Sequence, residues 1–130
     1  MTFDAIGIAG SALTVHRKWL DAISDNIANV NTASATDGDA FQERYVIARA
    51  NTRDGGVNVA GTALGSAEGR LAYDPANPLA DEDGLVRMPD IDLSAQMSNL
   101  IMAQRGYEAN AAVVDRAKST YEAALQIGRS

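Results

Sequence analysis

The chain has 130 residues, with 17 acids against 11 bases for a net charge of −6 and a pI near 4.6. That balance argues against a nucleic-acid backbone or an anionic membrane as the main partner. There are no cysteines, which excludes disulfides and thiolate metal sites, and aromatic residues make up only 5% against a hydrophobic share of 46% rich in Ala, a composition that favours close helix packing over a large globular core.

No apolar run approaches the roughly 20 residues needed to span a bilayer. The opening MTFDAIGIAGSALTVHRKW has no basic region ahead of its apolar stretch, so a cleavable secretory signal is not expected. Charge is uneven along the chain. Residues 1–30 hold three acids and two bases, residues 31–92 eleven and five, and residues 93–130 three and four. Nearly neutral ends around an acidic centre predict ends that touch protein and a centre that touches water.

From Ile6, apolar positions return at heptad spacing through Ala9, Leu13, Leu20, Ile23, Ile27 and Val30, with His16 the one polar member. This predicts an N-terminal helix over residues 1–32 with a coiled-coil-like seam. The helix ends in SDNIANVNT, residues 24–32. Neutral amides there can donate to the last unpaired carbonyls without the desolvation cost of a charge. One C-cap asparagine is ordinary, but Asn26, Asn29 and Asn31 together point to a crowded junction.

Residues 33–92 change character. SATDGDAF is a turn-rich link, RYVIARA (44–50) reads as a strand, NTRDGG as a hairpin turn, VNVA (57–60) as a second strand and GRLAY (69–73) as a third. GTALGSAEG (61–69) reads as a flexible loop, since it lacks the Lys and following helix of a phosphate-binding loop. Pro75, Pro78 and Pro89 all fall in DPANPLADEDGLVRMPD, which is expected to run extended and solvent-facing.

A second helix is expected over 93–130, capped by Asp92 or Ser94 and stopped by Gly128. Its seam runs through Leu93, Met97, Leu100, Gln104, Tyr107, Ala111, Val114, Lys118, Tyr121 and Leu125. Continuous from 93 to 128 it would be roughly 54 Å long, more than a compact domain of this size hides. Gly106 lies inside it and weakens the helix by about 1 kcal/mol relative to Ala, a cost accepted where another backbone comes close. The expected fold is mainly α: long N- and C-terminal helices packed as a coiled-coil-like pair, a small β-containing insert and an extended proline-containing arm, together one structural domain.

Catalytic and metal chemistry find little support. His16, the single histidine, has no carboxylate three or four residues away and reads as a structural residue. DEDG (81–84) lacks the alternating ligand spacing of a calcium loop and reads as a solvated acidic turn. No enzyme activity, cofactor, metal, nucleic acid or small-molecule substrate is expected. Two readings of the terminal helices stay open: an intramolecular pair that closes into a dimeric adaptor, or seams that also meet further subunits.

ISDNIANVNT resembles the N-terminal signature of the bacterial flagellar axial proteins, the rod and hook components, in which an N-I-A-N core is followed by a Thr. QMSNLIMAQRGYEANAAVVDRAKSTYEAALQIG resembles their C-terminal helix, with its A-Q-R-x-Y-E-A-N core. YDPANPLADEDGLVRMPDIDL is similar to the Y-x-P-x-H-P-x-A-D-x-x-G-Y-V-x-x-P-N-V block of proximal-rod members, with Asn77, Leu85 and Asp90-Ile91 departing from it and Gln96 standing where Glu is common. The resemblance covers roughly 1–32 and 70–128. It implies a structural subunit of the rod that assembles helically, lines the export channel and transmits torque. Export through the flagellar type III apparatus without a cleaved signal is implied too, with residence in the periplasmic rod. Implied partners are other rod proteins, copies of itself, and components on the export-gate and MS-ring side. Another axial rod protein of similar length is the alternative within the family. The implied subunit interface takes Ile6, Leu13, Leu20, Ile23, Ile27 and Val30 from the first helix and Met97, Leu100, Tyr107, Val114, Tyr121 and Leu125 from the second. Asn26, Asn29, Gln104 and Asn110 would act as registering hydrogen-bond groups, and Asp81, Glu82 and Asp83 would lie on an outer arm.

Overall fold

The computed structural model describes residues 2–129, with side chains from Asp4 onward. The element order is α1 (Thr2–Asn29), β1 (Arg44–Ala50), β2 (Val57–Leu64), β3 (Arg70–Tyr73), β4 (Leu85–Met88) and α2 (Leu93–Gly128). β1 pairs with β2 in one two-stranded sheet, and β3 pairs antiparallel with β4 in another, from Arg70↔Met88 to Tyr73↔Leu85. The two long helices dominate, as the heptads predict. Asp92 caps α2, its carboxylate accepting from the backbone N–H groups of Ser94 (2.9 Å) and Ala95 (3.2 Å), which satisfies donors that a helix start leaves orphaned.

Two compact units divide the chain, and each takes a piece of both helices: residues 1–20, 46–61 and 101–130 form one, residues 21–45 and 62–100 the other. In the first, Ala9, Val15 and Ala103 are buried. The Ser11 hydroxyl donates to the Ile8 carbonyl (2.7 Å) and accepts from the Val57 N–H (3.1 Å), tying the β1–β2 hairpin to α1. The hairpin turn is closed by Asn51, whose N–H donates to the Gly56 carbonyl (3.0 Å) and whose side-chain oxygen accepts from Arg53 N–H (3.1 Å). Gly55 and Gly56 complete it at φ +75° and +84°, a region closed to most side chains.

Gly106 admits a side chain rather than the neighbouring backbone that its position in the sequence suggests. A Cβ there would lie 2.3 Å from His16 Nε2. The ring is held from behind, since Nδ1 donates to the Ala12 carbonyl at 2.8 Å, and it lies at 49° to the Trp19 ring with centroids 6.1 Å apart. Gly106→Ala is therefore expected to destabilise the chain by about 1–2 kcal/mol despite alanine's better helix propensity. In a His16→Ala background the same change is expected to reverse sign and stabilise by up to about 1 kcal/mol. Thermal unfolding of the four chains of this cycle measures the reversal.

In the second unit Ala22, Ile23, Ala40, Val86 and Pro89 form the apolar core. The segment 74–90, expected to run extended and solvent-facing, is exposed only in part. Pro75 and Pro78 are exposed, but residues 85–88 form β4, with Val86 1% exposed and Pro89 buried. Pairing explains the difference: β3 takes one edge of β4, and Ser34 takes the other through two backbone hydrogen bonds with Arg87 of 2.8 and 2.9 Å. The expected loop 61–69 is also shorter than the sequence suggests, because β2 continues to Leu64. Asp81 closes the turn before β4 by accepting from the N–H groups of Asp83 (3.0 Å) and Leu85 (2.9 Å) and from the Thr36 hydroxyl (3.0 Å). Those bonds, the one from Leu85 first, hold its carboxyl below the usual carboxylate range.

Candidate assembly interface

Three asparagines close α1, and the structure gives each a different use. Asn26 is 1% exposed. Its Nδ2 donates to the Arg44 carbonyl (3.0 Å) and to Gln96 Oε1 (3.1 Å), while its Oδ1 accepts from the Arg44 N–H (2.8 Å). The amide thus serves both backbone groups of the first β1 residue, as a neighbouring strand would. Gln96 passes the chain of bonds on by donating from Nε2 to Glu43. An amide suits position 96 because a glutamate there would set a second carboxylate against Glu43. Glu43 also accepts from the Tyr45 hydroxyl, and that bond above all raises the phenol to about 12.

Within the chain, the Asn26 amide is thus engaged with Arg44 and Gln96. Asn29 Nδ2 donates back to the Asp25 carbonyl (2.8 Å), and its Oδ1 accepts from the Thr32 hydroxyl (3.2 Å). The first is a side-chain bond to the carbonyl four residues back in its own helix. Asn31 is exposed. The Arg44–Asp25 ion pair beside them is about half exposed on both sides and adds little.

On α1, Ile23 is buried and Ile6, Leu13, Leu20 and Ile27 are half-buried, as is Val30 just past its end. On α2 the face turned inward is out of step with the large apolar heptad. Gln96 and Ala103 are buried, and Leu100, Gly106, Asn110 and Val114 are half-buried. Met97, Gln104, Tyr107, Tyr121 and Leu125 are exposed. Small residues set this face, since Ala and Gly let helices approach closely. Asn110 Nδ2 donates to the Gly106 carbonyl of its own helix (2.8 Å).

The heptad count misses further apolar side chains that the fold leaves outside. Ile101 is 50% exposed and Met102 58%, with Val113 and Ile127 also exposed. With 3.6 residues per turn, Met97 and Ile101 stack on one side of α2, and Met102, Val113 and Ile127 on another. A search for apolar residues outside the seam finds them in the sequence: α2 is apolar on several sides. A helix of that kind is normally covered all round. Among the described residues, no group of three His, Asp or Glu side chains could hold a metal, and no helix is long and apolar enough to cross a membrane.

Known flagellar rod families match both ends of the chain. Residues 6–36 match the family described as "Flagella basal body rod protein", and residues 82–127 match the "Flagellar basal body rod FlgEFG protein C-terminal" family. The flagellar basal-body rod protein FlgC of Escherichia coli O6:H1 is 36% identical over 126 aligned residues, covering 94% of each chain. Its counterpart in Borreliella burgdorferi is 32% identical with 96% of each chain covered, and that of Bacillus subtilis 27% identical with 98% covered. With sequence signatures at both ends and relatives aligned along nearly the whole length, the chain belongs to the FlgC family of flagellar basal-body rod proteins, structural components and not enzymes.

Proposed function

We propose that the chain is a structural subunit of the proximal rod, polymerised with copies of itself and with other rod proteins so that α2 is covered on every side. The carrying observation is that α2 holds Met97, Ile101, Met102 and Val113 between 45% and 58% exposed, outside the face that packs on its own chain. Exposed apolar groups in such number mark a surface that meets protein. Leu13, Leu20 and Ile27 on α1 and Val30 just past it, with Gln104, Tyr107, Tyr121 and Leu125 on α2, belong to the same proposed interface, as does Asn29 at the end of α1.

In this reading the subunit leaves the cell interior through the flagellar type III apparatus without a cleaved signal. It takes its place in the periplasmic rod near export-gate and MS-ring components. Side-by-side helices would resist twist, because a torque load is then shared among many small packing contacts. Ile101→Asp tests the interface without disturbing the fold, since the side chain already faces outward. The variant is expected to unfold within about 0.5 kcal/mol of the parent, as outward-facing substitutions do, yet to be missing from purified basal bodies and to leave cells non-motile. Normal incorporation would overturn the assignment of this face.

A further inference from the structure

The two compact units carry opposite charge. Residues 1–20, 46–61 and 101–130 hold eight bases and five acids, a net +3, while residues 21–45 and 62–100 hold three bases and twelve acids, a net −9. In the positive unit a groove of about 370 Å³ runs between α1 and the β1–β2 hairpin, lined by Val15, His16, Trp19, Val46, Ala48 and Val57. A second hollow shares Val15 and Val57 and is bordered by Lys18. The groove is thus largely apolar in its bed, and the cation belongs to the adjoining hollow.

The negative unit bears a segment with the complementary chemistry. Tyr73 is 74% exposed at the end of β3, with Leu79 45% exposed in the turn that follows. Asp74, Asp81, Glu82 and Asp83 stand around them, all exposed. The Tyr73 ring lies over Gly84, where an added Cβ would come within 2.9 Å of it, so the ring is presented from a defined base. An apolar tip flanked in sequence by exposed acids fits an apolar groove beside a lysine-bordered hollow on a positive unit.

We propose that the groove between α1 and the β1–β2 hairpin of one copy receives the Tyr73–Leu79 turn of the next copy. Donor and acceptor surfaces differ, so the contact is heterologous and passes head-to-tail from copy to copy. This rests on the assembly reading above and adds a copy-to-copy contact that does not involve α2. The groove sets the recognition, and the charge difference sets the direction, because like units repel.

The test uses the full chain with Tyr73→benzoylphenylalanine, mixing ¹⁵N-labelled and unlabelled copies before irradiation. Mixed-isotope cross-links from position 73 to peptides spanning 15–19 or 46–57 are the expected result. Cross-links confined to one chain, or reaching only other segments of a second copy, overturn the contact. Charge exchange gives an independent reading by sedimentation velocity. Lys18→Glu and Asp83→Lys are each expected to weaken self-association about tenfold at low salt, and the double variant to regain most of the loss. Association that ignores both changes overturns this contact and leaves the α2 interface standing. A chain that stays monomeric at every concentration overturns this contact, while the α2 interface is judged separately by incorporation of Ile101→Asp into basal bodies.

Discussion

Replacing Asn26 by Leu is expected to destabilise the protein by about 3 kcal/mol and lower its midpoint of thermal unfolding by roughly 10 °C. The volume is nearly conserved, so the loss comes from polar groups. The Arg44 N–H and C=O and Gln96 Oε1 would each lose the partner that now lies 2.8–3.1 Å away, in a site where Asn26 and Gln96 are 1% and 2% exposed. Buried groups left unpaired cost more than the bond was worth. Asn26→Asp sharpens the test, for the new carboxylate could still accept from Arg44 N–H but would face the Arg44 carbonyl and Gln96 Oε1 with no proton to give. If Gln96 turned its amide to donate to that carboxylate, its oxygen would meet Glu43 instead. Both variants are therefore expected to be destabilised at neutral pH, and calorimetry on the two reads the result. Parent-like stability of either would mean that the network contributes nothing.

Gly69→Ala is expected to be as damaging, costing about 3 kcal/mol. The residue sits at φ +58°, and a Cβ would lie 2.1 Å from the Met88 carbonyl oxygen and 2.6 Å from the Ala40 Cβ. Neither neighbour can give way easily, because Met88 ends the β3–β4 ladder and Ala40 is 4% exposed. Gly61→Ala is the matched control: nothing lies within 4 Å and its φ is not in the left-handed range. Denaturant unfolding of the pair should show the large loss at 69 and a change within about 0.5 kcal/mol at 61.

Both helices and three of the four strands were legible because their signals are local. Heptad spacing, the Asp92 cap, the Asn51–Gly56 turn and the alternating RYVIARA stretch each act within a few residues. β4 was hidden because Leu85–Met88 is short and flanked by Pro89. Its strand character comes from partners at 34 and 70–73, far along the chain. The asparagine cluster announced itself as an oddity, but its use did not: Asn26 reaches β1 18 residues on and Gln96 70 residues on.

The face of α2 that packs on its own chain was hidden for a related reason. Counting large apolar residues selects Met97, Tyr107 and Tyr121, whereas close packing selects Ala103, Gly106 and the amide of Gln96. The family signatures carried the function further than the physics of the monomer does. Exposed apolar residues on several sides of α2 support the proposed assembly, and the signatures name the kind of structure.

The most direct test of that central claim is the accessibility of α2 before and after assembly. The chain has no cysteine, so Ile101→Cys and Val113→Cys each supply a single reporter on an exposed apolar position. Maleimide labelling, followed by the mass shift of this chain, would be compared between the purified protein and isolated basal bodies. The account predicts rapid labelling of the free chain and protection of both positions in the assembled rod. Equal labelling in the two states would contradict it.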